Sequence, residues 1–250
     1  MGYHIADSAD FMVNAAEKDL IDRYQRLTER LRQAESHYGR AEGSVCLVAV
    51  SKTYPADHVR TVATQGQRDF GENQIQDAVT KIPVLEDVGC SWHFIGPIQS
   101  NKCRDIALHF NWVHSIDRTK IAKRLSDLRP ADTKPINIFI QINLQNESTK
   151  SGVLPDDLGV LVNDVKNLPN LNLRGLMAIP VPEAIFNRQR ATFAELRELL
   201  EATNQNCRTN MNCLSMGMTD DLEAAVAEGA THVRVGTAIF GPRQKPASNP

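Results

Sequence analysis

Eight short apolar runs, each followed by a stretch of helical periodicity, recur along this sequence. The first is Val45–Val50, too short for a helix and uninterrupted by polar residues, which reads as a buried strand. Pro55 then stands at a helix start, Val59, Val62 and Ala63 follow at helical spacing, and Gly66 closes the helix. Further candidate strands lie at Asp69–Gly71, Trp92–Ile95, Trp112–Ser115, Ile136–Ile142, Leu173–Ala178, Cys213–Ser215 and His232–Val235. The helical patterns between them fall near Asn73–Leu85, Asn101–Phe110, Arg118–Leu128, Pro155–Asn167, Ala184–Ala202 and Asp220–Glu228. Strands joined through helices, not through two-residue turns, run parallel. Eight βα units of roughly 25 residues each make a (β/α)8 TIM barrel, and 250 residues suit one. The competing α/β architecture is an open doubly wound sheet. It lacks support, since no G-x-G-x-x-G follows the first strand and there is no Walker loop.

Outside the repeat, Phe11–Tyr38 carries Leu20, Ile21, Tyr24, Leu27 and Leu31 at helical spacing and predicts an extra N-terminal helix over about 11–38. The segment after about Gly241 reads as a frayed tail. With no linker or composition shift, residues 1–250 are expected to form a single barrel domain. A chain with 42% hydrophobic and 23% charged residues is neither disordered nor a disulfide-stapled miniprotein. The net charge of −2 gives no footprint for nucleic acid or a membrane surface. No apolar run is long enough to span a bilayer, and Asp7 and Asp10 break any secretory signal pattern. Five cysteines without C-x-x-C spacing suggest reduced thiols, no metal site and a cytoplasmic location.

In a barrel of this kind the functional groups sit at the C-terminal strand ends. Lys52 directly follows the first strand. Its ammonium either snorkels to solvent or, partly desolvated, becomes a neutral amine able to attack a carbonyl, and position alone leaves both open. Across the barrel, Ser215-Met216-Gly217-Met218-Thr219 and Arg234-Val235-Gly236-Thr237 follow the seventh and eighth strands, where barrels of this class hold phosphate. Glycine lets backbone N–H groups approach an anion, and Ser215, Thr219 and Thr237 could add hydroxyls. A carbonyl-seeking lysine opposite a phosphate site suits a sugar-phosphate aldehyde, as in a Schiff-base aldolase, or pyridoxal 5′-phosphate. The other polar groups have plainer readings. His93 and His114 lack metal-ligand spacing and read as packed, hydrogen-bonded histidines. Asp220 and Asp221 read as helix capping and dipole compensation. Met216 and Met218 read as packing at the barrel top or beneath a cofactor. Glu72 is either an acid at the second strand end or a solvated loop charge.

Those same residues carry a family resemblance. The run Val48-Ala49-Val50-Ser51-Lys52-Thr53-Tyr54-Pro55 resembles the lysine segment of the pyridoxal phosphate homeostasis proteins. So, in order, do Phe70-Gly71-Glu72-Asn73-Gln74, Trp92–Gly96 with Gln99–Lys102, Val113–Asp117, Asn143 with Lys150–Gly152, Arg174–Met177, Leu214–Asp221 and Val233–Gly241. Two departures are small: Thr219 stands where serine is more usual, and the proline-rich piece after Met177 is shortened around Ile179–Pro182. The resemblance implies the barrel of the alanine racemase N-terminal domain, the type III fold of pyridoxal phosphate proteins. It implies that Lys52 carries pyridoxal 5′-phosphate as an aldimine, and that Ser215, Gly236 and Thr237, with Thr219 assisting, hold the phosphate. Arg234 would face the pyridine nitrogen, Asn73 would lie beside the ring, and Met216 belongs to the same binding loop.

The resemblance also implies a non-catalytic binder that keeps or delivers the cofactor, with cofactor-free pyridoxal phosphate enzymes as acceptors. Racemisation needs a base on each face of the bound cofactor. All four tyrosines lie in the first quarter of the sequence, and about fifteen residues follow the eighth strand, so the tyrosine-bearing second domain of alanine racemase is expected to be missing. Arginine carries only donors and favours an unprotonated ring nitrogen, which weakens carbanion stabilisation. A monomeric carrier is therefore expected, with a weak racemase-like enzyme as the alternative and the aldolase third.

Overall fold

The computed structural model describes residues 15–147 and 150–242. The described strands are β1 (Cys46–Val50), β2 (Asp69–Glu72), β3 (Ser91–Phe94), β4 (Trp112–Ile116), β5 (Ile136–Ile142), β6 (Leu171–Ala178), β7 (Cys213–Ser215) and β8 (His232–Val235). They pair in chain order, every neighbour parallel, and β8 closes on β1 through Cys46↔His232 and Val48↔Arg234. The helices are α1 (Ala15–His37), α2 (Ala56–Thr64), α3 (Ile75–Lys81), α4 (Cys103–His109), α5 (Thr119–Leu128), α6 (Leu158–Val165), α7 (Phe186–Cys207), α8 (Leu222–Ala227) and α9 (Thr237–Phe240). The expected closed (β/α)8 barrel with an additional first helix is thus the observed architecture.

Parallel strands covered on both faces are apolar throughout, and β1, β4 and β5 are buried along nearly their whole length. Two separate apolar clusters result. The large one lies between the sheet and the helices, and a small one of Phe139, Met177 and Cys213, with Trp112 against it, fills part of the barrel interior.

The element boundaries differ from expectation where a residue cannot continue the element. The helix expected over Asn73–Leu85 stops at Lys81, and Pro83 opens a 3-10 turn to Val88, because proline lacks the N–H that an α-helix needs there. The helix expected from Pro155 likewise begins with a 3-10 turn, Pro155–Asp157. The expected Ala184–Ala202 helix runs on to Cys207, where Arg208 turns left-handed at φ 54°. The expected start of the first helix at Phe11 and most of the expected tail lie outside the described residues.

α1 buries Leu20, Tyr24, Leu27 and Leu31 and docks on α9, α2 and α8. Its Arg30 grips Glu223 with two bonds of 2.6 Å and donates to the carbonyl of Thr219 at 2.8 Å. Arg23 donates to the Ile239 carbonyl at 2.8 Å. Glu35, fully buried, accepts from the backbone N–H groups of Gly43 at 3.0 Å and Val45 at 2.7 Å, which directs the chain from α1 into β1.

Candidate functional site

At the C-terminal ends of the strands a cavity of about 270 Å³ opens between β1, β2, β3 and β8. Lys52, Asn73, Thr219, Arg234, Gly236 and Thr237 line it. Six of the eight residues singled out in the sequence therefore meet in one place.

Lys52 leaves β1 in a tight turn. The Ser51 N–H is held by the Gly71 carbonyl, and the Tyr54 N–H donates to the Ser51 carbonyl at 3.1 Å. Thr53 sits at φ 69°, and a β-branched residue there is strained by roughly 1–3 kcal/mol. The turn brings Tyr54 into the wall of the same cavity. Tyr54 thus stands at the cavity despite its place in the first quarter of the sequence. Its hydroxyl donates to the Gly241 carbonyl at 2.6 Å, and its ring stacks on Phe240.

Beneath Lys52, a buried trio links β1, β2 and α3. The Lys81 ammonium donates to the Ser51 carbonyl and to Glu72 Oε1, each at 2.8 Å, and the Ser51 hydroxyl donates to the same Oε1 at 2.7 Å. Glu72 is fully buried, so the solvated-loop alternative is wrong. Burial lifts its carboxyl above the ordinary range despite the Lys81 charge. Lys81 was invisible in the sequence, since it lies on a helix and not at a strand end.

Asn73 continues from β2 beside Gly96. A Cβ at Gly96 would lie 2.1 Å from the Asn73 carbonyl oxygen, so only glycine lets the two strand ends approach this closely. The side-chain oxygen of Asn73 is buried without a hydrogen-bond partner. Such an atom costs on the order of 1–3 kcal/mol unless a ligand or water satisfies it.

The opposite wall comes from β7 and β8. Gly217, at φ 93°, turns the chain where a Cβ would come within 2.5 Å of Ala225. Thr219 then faces the cavity, its carbonyl tied to Arg30. Asp221 stands at the start of α8, but its carboxylate accepts the Met218 N–H at 2.6 Å and no helix amide, so it braces the loop instead of capping the helix. Arg234 is almost wholly buried. Its side chain donates to Ser215 Oγ at 2.5 Å and the Ala178 carbonyl at 2.9 Å, both neutral oxygens, and burial lowers its pKa to about 10.

Ser215 and Met216 do not line the cavity. Both are fully buried below it. On β7, Ser215 shares the inward parity of Cys213, so its hydroxyl enters the barrel, within 2.8 Å of His114 Nδ1. Met216 packs in the core between sheet and helices. The packed, hydrogen-bonded reading of His93 and His114 is correct: both are fully buried, and they bond each other at 2.9 Å. Burial pushes both imidazoles below their ordinary range, His114 further, and His232 to about 3. Burial raises the Asp69 carboxyl, but hydrogen bonds, the one from His93 first, outweigh it and hold that group below the carboxylate range. The residues missed from the sequence are Tyr54, Pro97 and Ile179, which reach the cavity only through the fold.

The family model described as "Alanine racemase, N-terminal domain" matches residues 23–244. The chain is 54% identical over 224 residues to the pyridoxal phosphate homeostasis protein of Pseudomonas aeruginosa, covering 90% of this chain and 96% of that one. It resembles the solved structure of PipY from Synechococcus elongatus with pyridoxal phosphate bound, at TM-score 0.78 and 34% identity, over 89% of this chain and all of that one. Alanine racemase from Corynebacterium glutamicum, at 18% identity and TM-score 0.64, covers 92% of this chain and 63% of its own, and shows the shared barrel.

Proposed function

This chain belongs to the pyridoxal phosphate homeostasis proteins, and from that premise we propose that it binds pyridoxal 5′-phosphate and keeps it available inside the cell without a dedicated reaction of its own. The observation that carries the reading is the meeting of Lys52 with Thr219, Arg234, Gly236 and Thr237 around one cavity.

The residues fit the cofactor. When bound, the cofactor supplies an aldehyde with which a lysine amine condenses, releasing water. Lys52 would hold it through Nζ, at the end of a strand pinned by the buried Glu72–Lys81 pair. Thr219, Gly236 and Thr237 would hold the phosphate with hydroxyl and amide donors, from a loop that Arg30 fastens to α1. The unpartnered oxygen of Asn73 would meet the ring or its substituents. Arg234 would face the ring nitrogen, where a group with only donors keeps that nitrogen unprotonated. Ser215 and Met216 would act from below, as support for Arg234 and as packing.

A carrier suits this wall better than a racemase. Proton transfer on both faces needs two positioned acid–base groups. Among the described residues lining the cavity, Lys52 and Tyr54 are the side chains suited to it, and the Tyr54 hydroxyl already donates to Gly241. The presence of Tyr54 nevertheless favours weak racemase-like activity as the second reading. As a carrier, the protein would work as a cytoplasmic monomer and pass its cofactor to cofactor-free enzymes. None of the helices of the described residues is long and apolar enough to cross a membrane.

The test is the visible spectrum before and after borohydride, with peptide mapping, alongside transfer to a cofactor-free enzyme. A yellow protein bleached by reduction, with the adduct on Lys52, supports the reading. A colourless protein that takes no adduct refutes it. Multiple turnovers of α-proton exchange on L-amino acids, followed by NMR, would replace the carrier with the racemase-like alternative.

A further inference from the structure

Beside the small apolar cluster, part of the inside of this barrel is polar where such barrels are ordinarily filled by Val, Ile and Leu. Four hydrogen bonds run through it from the N-terminal end of the strands to the cavity. Asp69 Oδ1 lies 2.9 Å from His93 Nε2, and His93 Nδ1 lies 2.9 Å from His114 Nε2. His114 Nδ1 lies 2.8 Å from Ser215 Oγ, and Arg234 Nη1 lies 2.5 Å from the same oxygen.

Elementary donor and acceptor counts give this chain one direction. The Asp69 carboxylate only accepts, so His93 donates through Nε2–H. A neutral imidazole has one donor and one acceptor, so His93 Nδ1 accepts and His114 donates through Nε2–H. His114 Nδ1 then accepts, and the donor facing it is the Ser215 hydroxyl. The lone pairs of that hydroxyl are left for Arg234, whose guanidinium can only donate. With Asp69 ionised and both rings neutral, every bond of the chain is made and no like groups face each other. Aromatic neighbours fix the rings as well: His93 stacks on Trp112 at 5.5 Å and His114 lies 4.6 Å from Phe139.

We propose that Ser215, His114 and His93 are positioning residues for Arg234, a one-way hydrogen-bonded chain that fixes the guanidinium at the cavity and ties it to Asp69 at the far end of the barrel. The proposal rests on the reading of Arg234 as a group that faces bound pyridoxal phosphate. It gives Ser215 a role from beneath the cavity, as the acceptor that orients Arg234. The direct partners of the buried guanidinium are both neutral oxygens, so the acceptor that Ser215 presents to it matters, while the carboxylate whose charge reaches it is Asp221.

Two measurements test it. The first is ¹⁵N NMR of the histidine rings in the protein without cofactor. His93 and His114 should both be neutral Nε2–H tautomers at neutral pH. An Nδ1–H tautomer or a doubly protonated ring at either position overturns the chain. The second is titration with pyridoxal phosphate, followed by visible absorbance, of the unaltered protein and of His114→Phe, His114→Asn and Ser215→Ala. His114→Phe and Ser215→Ala should weaken binding on the order of tenfold, the worth of one charge-assisted bond, and displace the visible band. His114→Asn places an acceptor near the position of Nδ1 and should bind within a few-fold of the unaltered protein. Unchanged binding in His114→Phe, or equal loss in both His114 variants, overturns the positioning role. If His114→Phe does not fold, Ser215→Ala carries the same expectation with a single oxygen removed. Failure of the unaltered protein to bind the cofactor refutes the functional reading instead, while the ring tautomers still decide whether the chain exists.

Discussion

Lowering the pH should unfold this protein from the histidine range downward, well before its carboxylates titrate. His93, His114 and His232 are held neutral by burial inside the barrel. The unfolded chain takes up a proton at each near pH 6.5, so below that pH the unfolded state binds more protons than the folded one. Stability is then fully present above about pH 6.5 and falls as the pH drops towards the folded-state pKa values. Each histidine contributes a slope of about 1.4 kcal/mol per pH unit. For His232, shifted from 6.5 to about 3, the accumulated loss is on the order of 5 kcal/mol. His114, held well below its ordinary range, and His93, also held low, add losses of the same sign to a typical stability of about 5–15 kcal/mol. Asp69, held low, adds to the loss only below its ordinary carboxylate range. Glu72, held high, acts oppositely, since its folded form keeps a proton that the unfolded chain releases. The assay is urea unfolding of the cofactor-free protein in steps from pH 8 to pH 5, followed by tryptophan fluorescence. His232→Leu should lower the slope by up to about 1.4 kcal/mol per pH unit. A stability that stays level between pH 7 and pH 5 would refute the reasoning.

Lys52→Ala should keep the urea midpoint within about 0.5 kcal/mol of the unaltered protein and lose all borohydride-trapped adduct; an adduct of normal yield would move the attachment elsewhere. Pyridoxal without its phosphate should bind at least a hundredfold more weakly, because the charge-assisted bonds proposed from Thr219, Gly236 and Thr237 would be worth about 1.5–3 kcal/mol each, as competitive titration would measure. Arg30→Ala should cost about 1 kcal/mol in urea unfolding and several-fold in cofactor affinity, since the Glu223 pair is partly solvated while the Thr219 carbonyl loses its anchor. Gly96→Ala should destabilise by about 2–3 kcal/mol, because the new methyl has to displace the Asn73 backbone.

All eight strands were legible in the sequence because burial on both faces leaves compact apolar runs, and their ends fall within about two residues of expectation. Lys52, Arg234, Gly236 and Thr237 were legible for a second reason: strand ends of a barrel all open on one mouth. What the sequence hid depends on side-chain parity and on folding back. Ser215 and Thr219 stand in one motif, yet the first belongs to a strand and points into the barrel while the second belongs to a loop and faces the cavity. His93 and His114 have no telling spacing, and only neighbouring strands put them 2.9 Å apart. Tyr54 was discounted by its place in the chain, although a strained turn at Thr53 returns it to the cavity.

The grip of α1 on the loops after β7 and β8 has a consequence for how the protein is made. Arg30 and Arg23 hold partners 189 and 216 residues further along the chain, and β1 pairs with the last strand. Contacts of such separation form late, after loop closure has been overcome. A nascent chain on the ribosome, with Lys52 already synthesised, therefore has neither the anchored Thr219 loop nor Arg234 and Thr237 until the eighth strand has been made. Lys52 thus meets Thr219, Gly236 and Thr237 only once β8 has closed on β1, so a chain interrupted before β8 offers no assembled cavity.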